Sequence, residues 1–120
     1  MTGSEMLNHS LKLLGYSENN GNTHLTQVIK NRALPIINLV YAELSRNCEQ
    51  KFQPLESLSK EINLPEKALN EVMPAGIAMY IANAEGDNAA EVFWASEYNA
   101  KRVTLSRFGE IKDVLPNVWG

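Results

Sequence analysis

The apolar pattern between Leu55 and Met73 constrains the fold of this 120-residue chain more than any other feature. Apolar residues recur there at helical spacing in two groups: Leu55, Leu58 and Ile62, then Leu64, Leu69 and Val72. Between the groups stands Asn63, one of the few residues other than glycine that tolerates a left-handed backbone. Pro65 suits the first turn of a helix, and Pro74 limits its length. The segment therefore predicts two short helices joined by a tight turn.

The N-terminal part of the chain predicts further helices. Apolar residues on one side predict a helix over 4–14, with Ser4 as its N-cap and Gly15 after its last turn. Turn-forming residues fill 16–22, which we interpret as a loop. Helicity resumes at Thr23.

Pro35 predicts a break or a kink in that second helical region, because a proline disfavours helical backbone in the residue before it. A new helix is expected to start at Pro35 and to supply the main core stripe. That stripe consists of Ile36, Ile37, Val40, Tyr41 and Leu44. Cys48, the single cysteine, follows the stripe and is expected to act as a small core residue rather than as a nucleophile.

Residues 74–100 allow two interpretations. Apolar residues alternate with small ones from Ile77 to Ala82, and turn-forming residues follow, so we favour a β-hairpin over about 76–96. The alternative is a pair of helices that begin at Pro74 and Asn88. Beyond this region, Ser106 is expected to cap a last helix that Pro116 stops.

The predicted order of long helix, short helix, turn, short helix and hairpin over about 35–96 resembles the winged helix-turn-helix superfamily. The likeness is carried by Leu58, Ser59, Ile62, Asn63, Leu64, Leu69 and Val72. It implies a mainly α (α+β) single domain over 1–120, with a helix-turn-helix core at about 55–73, a wing at 76–96 and extra N- and C-terminal helices. It also implies that the second short helix faces DNA, with Glu66, Lys67, Asn70 and Glu71 in the recognition position.

Charge tests this implied role in binding double-stranded DNA and regulating transcription. DNA affinity depends on lysines and arginines that neutralise phosphates, yet the net charge is −3 and acids flank Lys67. Lys101 and Arg102 near the C-terminus are the candidate compensating cations. The predicted nucleic-acid-binding residues are therefore Lys67, Asn70, Lys101 and Arg102. The alternative is a protein-interaction module in which exposed aromatic residues form an apolar patch, drawn from Tyr80, Phe93, Trp94, Tyr98 and Trp119. Against this, most of these rings are expected to lie in the core, with at least Phe93 or Trp94 buried.

Other classes of function have little support. His9 and His24 lack neighbours at metal-ligand spacing, and no nucleophile motif or phosphate-binding glycine loop is present, so neither an enzyme nor a cofactor is expected. No apolar run reaches the ~20 residues of a membrane span. We expect a cytoplasmic protein, and a homodimer because palindromic DNA sites match two-fold symmetric proteins.

Overall fold

Helices form every regular element that the computed structural model describes, which covers residues 1–15 and 27–119. The elements are α1 (Gly3–Leu14), α2 (Gln27–Asn47), a π-helical turn (Ala68–Val72), α3 (Met73–Ala84) and α4 (Asn88–Trp119). Side chains are described for 1–15 and 28–105. The predicted loop at 16–22 and the predicted helix start at Thr23 lie outside the described residues.

Helix α1 confirms the prediction of an N-terminal helix, but its cap differs. Thr2, not Ser4, is the N-cap: the Thr2 hydroxyl accepts from the Glu5 N–H at 3.2 Å, and the Glu5 carboxylate accepts from the Thr2 N–H at 2.8 Å. This reciprocal pair satisfies two N–H groups that a helix start leaves without partners. Gly15 ends the helix in the left-handed conformation, as expected.

Helix α2 runs through Pro35, so the predicted break is wrong. A proline inside a helix costs about 3 kcal/mol, because it lacks an N–H and its ring crowds the preceding turn. Pro35 lies on the exposed side, whereas Ile29 and Ala33 before it and Ile37 after it are buried. Burial of apolar residues on both sides of the proline keeps the helix continuous.

The first helix of the predicted helix-turn-helix does not form, so the core assigned to 55–73 is wrong. Residues 55–65 are irregular because partners distant in sequence take up their backbone groups. The Asn38 side chain accepts from the Leu55 N–H at 2.8 Å and donates to the Leu55 carbonyl at 3.1 Å. The Leu58 and Lys60 carbonyls accept from the N–H groups of residues 4 and 3. Leu55, Ile62 and Leu64 are buried nonetheless.

The predicted second short helix is instead the start of a longer helical segment. Helical backbone begins at Glu66 and passes through the π-helical turn into α3. In this turn the Met73 N–H donates to the Ala68 carbonyl, five residues back. Pro74 follows at once, and a π-helical turn is one of the ways in which a helix accommodates an irregular position.

The predicted wing is also wrong, because 76–96 forms α3 and the first part of α4. The alternative of two helices is confirmed, with the second starting at Asn88 as expected, whereas the first continues from the helical backbone that begins at Glu66. Alternation failed as a strand signal because α3 is buried on nearly all sides, including Gly76, Ala78 and Ala82 between the larger residues. Over the described residues there is no sheet, only an isolated bridge between Thr2 and Glu61, so the α+β winged helix assignment is replaced by an all-helical fold.

Helix α3 is the central element, and α1, α2 and α4 all pack against it. The largest fully buried side chains come from all four helices and include Met6, Ile29, Ile37, Leu44, Met73, Ile77, Ile81 and Tyr98. Helix α4 continues without interruption to Trp119, so Ser106 does not start a separate helix and Pro116 does not stop one. At ~1.5 Å per residue, the 32 residues of α4 extend far beyond the 12-residue α3.

Candidate functional site

Both predicted DNA-binding lysines form ion pairs on their own helical segments. The Lys67 ammonium lies 3.2 Å from the Glu71 carboxylate, and the Lys101 ammonium lies 3.6 Å from that of Glu97. All four side chains are partly exposed, and such helical pairs contribute only ~0.3–0.5 kcal/mol each. The neighbouring carboxylates nevertheless reduce the positive potential that these lysines would offer to a phosphate.

Arg102 is paired with side chains of another helix, α2. Its Nε donates to the Asn47 side chain of α2 at 2.9 Å, and its guanidinium lies 3.8 Å from the Glu43 carboxylate. The same guanidinium stands over the Tyr98 ring, 5.4 Å from its centroid. Arg102 therefore ties α4 to α2.

The Glu43 carboxylate is the centre of a polar cluster between α2, α3 and α4. It accepts from the Tyr98 hydroxyl at 2.7 Å and from the Tyr80 hydroxyl at 3.1 Å. Burial raises the pKa of Tyr98, with further contributions from the hydrogen bond to Glu43 and the charge of Glu43. The pKa of Tyr80 is raised by the same causes, burial first. Both hydroxyls thus remain protonated donors at neutral pH.

The raised pKa of Tyr98 predicts a loss of stability in alkali. A group whose folded-state pKa is raised contributes stability below its unfolded pKa, about 10 for tyrosine, and that contribution falls as the pH rises further. We expect the urea midpoint to fall between about pH 8 and about pH 11, and to fall less in Tyr98→Phe, which has no hydroxyl to ionise. Both proteins carry Tyr80→Phe in this comparison, because Tyr80 donates to the same carboxylate and is coupled to Tyr98. Equal losses in the two proteins would contradict the assignment.

A groove between α1, the π-helical turn, α3 and α4 brings two of the predicted residues together. It has a volume of about 350 Å³ and is lined by His9, Leu13, Asn70, Glu71, Pro74, Ala75, Trp94, Glu97 and Lys101. Lys67 reaches its edge through the ion pair with Glu71. Trp94 is half-buried here and contacts the exposed Phe93 edge to face, with ring centroids 4.8 Å apart. The expectation that one of these two rings is buried is therefore met only in part, by Trp94.

The solvent-facing side of α4 carries no charged residue over the part of the helix whose side chains are described. Between Asn88 and Leu105, where side chains are described, the most exposed positions are all apolar, small or neutral polar, while the charged side chains of Glu97 and Lys101 are 41% exposed at the edge of this surface. We call those most exposed residues the α4 outer face: Asn88, Ala89, Val92, Phe93, Ser96, Asn99, Ala100, Val103 and Thr104. Val92, Phe93 and Val103 are 70%, 54% and 50% exposed. The nine residues of the face recur at spacings of three and four, which places them on one side of the helix.

The charged residues of the same stretch lie at the edges of this face, and each has a hydrogen-bond or ion-pair partner. The Glu91 carboxylate accepts from the Asn83 side chain at 3.0 Å, while Glu97 and Lys101 pair with each other. Arg102 turns to α2. This division is unusual, because exposed helix surfaces normally carry many charged residues. Sequence reasoning missed the face because Val92 and Phe93 were assigned to a strand.

Comparison with known proteins finds none that is similar to this chain. No protein-family model matches the chain, and no curated protein and no solved structure shows significant similarity to it. Among the described residues there is no group of three or more His, Cys, Asp or Glu side chains that could hold a metal ion. None of the helices in the described ranges combines the length and the apolar character that crossing a membrane requires.

Proposed function

We propose that this protein is a helical protein-interaction module that docks through the α4 outer face. The observation that carries the proposal is that the α4 outer face holds no charged residue and has three well-exposed apolar side chains. Depletion of charged residues, with aromatic residues enriched, is the compositional signal of the buried centre of a protein interface.

Magnitudes support a docking surface of moderate strength. Fully burying a valine or phenylalanine side chain contributes ~1.5–3 kcal/mol, so Val92, Phe93 and Val103 together offer several kcal/mol. Association costs ~4–15 kcal/mol in lost freedom, so these three side chains alone do not produce tight binding. The surface therefore fits a reversible complex in which Phe93 is the aromatic anchor, supported from behind by Trp94.

The surroundings of the predicted cations favour this function over nucleic-acid binding. Lys67, Lys101 and Arg102 each have a carboxylate within 4 Å, and Arg102 is also fixed to Asn47. A phosphate would have to compete with those carboxylates for each cation. By contrast, nothing in the described part of the chain covers Val92, Phe93 and Val103, which are at least half exposed.

Site-specific photocrosslinking tests the proposal. A photoreactive benzophenone amino acid is placed at Val92 or at Phe93, and a matched control carries it at Leu39, an exposed apolar residue of α2. Irradiation in the native cells should give a discrete adduct of defined mass from the two α4 positions and not from the control. Mass spectrometry then identifies the partner and the contacting residue.

Two outcomes would contradict the proposal. The first is that the α4 positions give no adduct, or the same adducts as Leu39. The second is micromolar binding of a mixed-sequence DNA duplex, measured by fluorescence anisotropy, that weakens steeply with salt and is lost in a Lys67→Ala, Asn70→Ala variant. That result would replace the proposal with nucleic-acid binding through the residues first predicted.

A further inference from the structure

We infer that a cavity beside Tyr41 of α2, walled by the irregular segment 51–63, binds the phosphate group of a small hydroxylated molecule. The cavity has a volume of about 490 Å³, within the ~300–1,000 Å³ range of pockets that hold small ligands. No residue of the α4 outer face lines it, so this site is separate from the proposed docking surface. Three features carry the inference: a buried hydroxyl donor, two lysines and walls that are held in place.

The Tyr41 hydroxyl is a buried hydrogen-bond donor at this cavity. Tyr41 is 3% exposed, and its ring packs edge to face against Phe52. Its oxygen accepts from the Asn63 N–H at 3.0 Å, so its own proton has to point elsewhere. Within the described residues no acceptor takes that proton. Buried polar groups are nearly always hydrogen-bonded, so an acceptor atom belongs in the cavity that Tyr41 lines.

Lysines supply the charge that selects an anionic acceptor. Lys51 and Lys60 line the cavity, and neither has an ion-pair partner within the described residues, in contrast to the paired Lys67. Two ammonium groups beside an unused hydroxyl proton offer charge-assisted hydrogen bonds to an oxyanion. Gln53 adds a side-chain amide to the same lining. Donors from four side chains match the three free oxygens of a phosphate ester better than the two oxygens of a carboxylate.

The two carboxylates at the cavity indicate what the rest of the ligand is. The Glu61 carboxylate is paired with the Met1 ammonium at 2.9 Å, which offsets its charge. Glu56 also lines the cavity, without a partner in the described part of the chain. A carboxylate repels a second anion and accepts from hydroxyl groups, so Glu56 fits a hydroxyl of the ligand rather than its phosphate. The ligand class is therefore the phosphate esters of sugars and other polyols.

The walls of the cavity are fixed although they have no regular secondary structure. On one side, the Asn38 side chain binds both backbone groups of Leu55, at 2.8 and 3.1 Å. On the other side, Tyr41 accepts from the Asn63 N–H, and the Gln50 side chain donates to the Asn63 carbonyl. Residues of α2 and the residue 50 side chain thus hold the segment before any ligand arrives. A site that is already ordered loses less conformational entropy on binding.

Titration of the isotope-labelled full chain with glucose 6-phosphate, followed by amide chemical shifts, tests the inference. We expect saturable shifts centred on 51–63, with a dissociation constant on the order of 1 mM. Lys51→Gln and Lys60→Gln each remove one charge at an exposed position, so each should weaken binding by about ten-fold and leave the melting temperature unchanged. The matched control is Lys30→Gln, the same change at an exposed position of α2 away from the cavity, which should keep the affinity.

Two further probes separate the phosphate from the rest of the ligand. Glucose has no anionic group and should leave the amides of 51–63 unshifted at concentrations that saturate the site with its phosphate ester. Glucuronate carries a carboxylate in place of the phosphate and should bind at least about ten-fold more weakly, because it has fewer acceptor oxygens. Equal affinity for glucuronate and glucose 6-phosphate would overturn the assignment to phosphate.

A pair of variants tests the role of the buried hydroxyl. Tyr41→Phe keeps the ring and removes the donor, so it should weaken binding by about ten-fold. It also removes the bond to the Asn63 N–H, and Gln50→Ala is the control, since it removes the other bond to Asn63 without changing the lining of the cavity. Gln50→Ala should bind nearly as well as the natural chain. Equal weakening in both variants would mean that Tyr41 acts only by positioning Asn63.

Two results would overturn the inference as a whole. One is the absence of shifts over 51–63 at glucose 6-phosphate concentrations far above the expected dissociation constant. The other is that Lys30→Gln weakens binding as much as Lys60→Gln, because the effect would then come from net charge and not from the cavity. Neither result bears on the photocrosslinks that test the α4 outer face.

Discussion

Tyr98→Ala should lower the free energy of unfolding by ~3–5 kcal/mol, the range for removing a large aromatic side chain from a core. Tyr98 is 1% exposed and is the largest fully buried side chain among the described residues. Its ring fills the space between α4 and α3, and its hydroxyl donates to Glu43 of α2 at 2.7 Å. The substitution therefore removes packing between two helices and a hydrogen bond to a third.

Urea denaturation followed by circular dichroism measures this loss of unfolding free energy. Two phenylalanine variants separate the contribution of the hydrogen bond from that of the ring. Tyr98→Phe keeps the ring and removes only the hydrogen bond to a charged group, for which ~1.5 kcal/mol is expected. Tyr80→Phe is the matched control, because its hydroxyl donates to the same carboxylate from a half-exposed position and should matter less. A loss below about 1 kcal/mol in Tyr98→Ala would show that Tyr98 does not hold α4 in place.

The sequence patterns predicted two kinds of helix: those stabilised by nearby residues such as caps, and those that carry a clear apolar stripe. The helix over 4–14, the long helix that carries Ile37 and Leu44, and the turn before Asn88 are all present. The helix-turn-helix was wrong because the competing structure is formed by residues distant in sequence. Asn38 and residues 1–4 satisfy the backbone groups of 55–62, and no local pattern reveals those partners.

The contacts at the candidate site likewise divide into those between residues close in sequence and those between distant residues. The pairs Lys67–Glu71 and Glu97–Lys101 stand four residues apart, so they are visible in the sequence once those residues are known to be helical. The pairing of Arg102 with Glu43 joins residues 59 positions apart and needs the tertiary fold. The α4 outer face lies between these cases. Its residues recur in the sequence at spacings of three and four. This recurrence identifies an exposed face only once the region is known to be the helix α4 and not the predicted wing.

The close approach of Gly76 to Tyr98 makes the identity of residue 76 decisive for how α3 and α4 pack. A Cβ atom at Gly76 would lie 2.6 Å from Cε1 of the Tyr98 ring and 2.9 Å from two other ring atoms. The ring cannot move aside easily, because it is buried and its hydroxyl is held by Glu43. Alanine normally stabilises a helix interior by ~0.5–1 kcal/mol over glycine, yet overpacking should reverse the sign, and we expect Gly76→Ala to lower the free energy of unfolding by ~1–3 kcal/mol. The decisive control is the same substitution in the Tyr98→Ala background, where the clash is gone and Gly76→Ala should become neutral or stabilising. An equal cost of Gly76→Ala in both backgrounds would mean that the close approach of the two helices does not depend on these two residues.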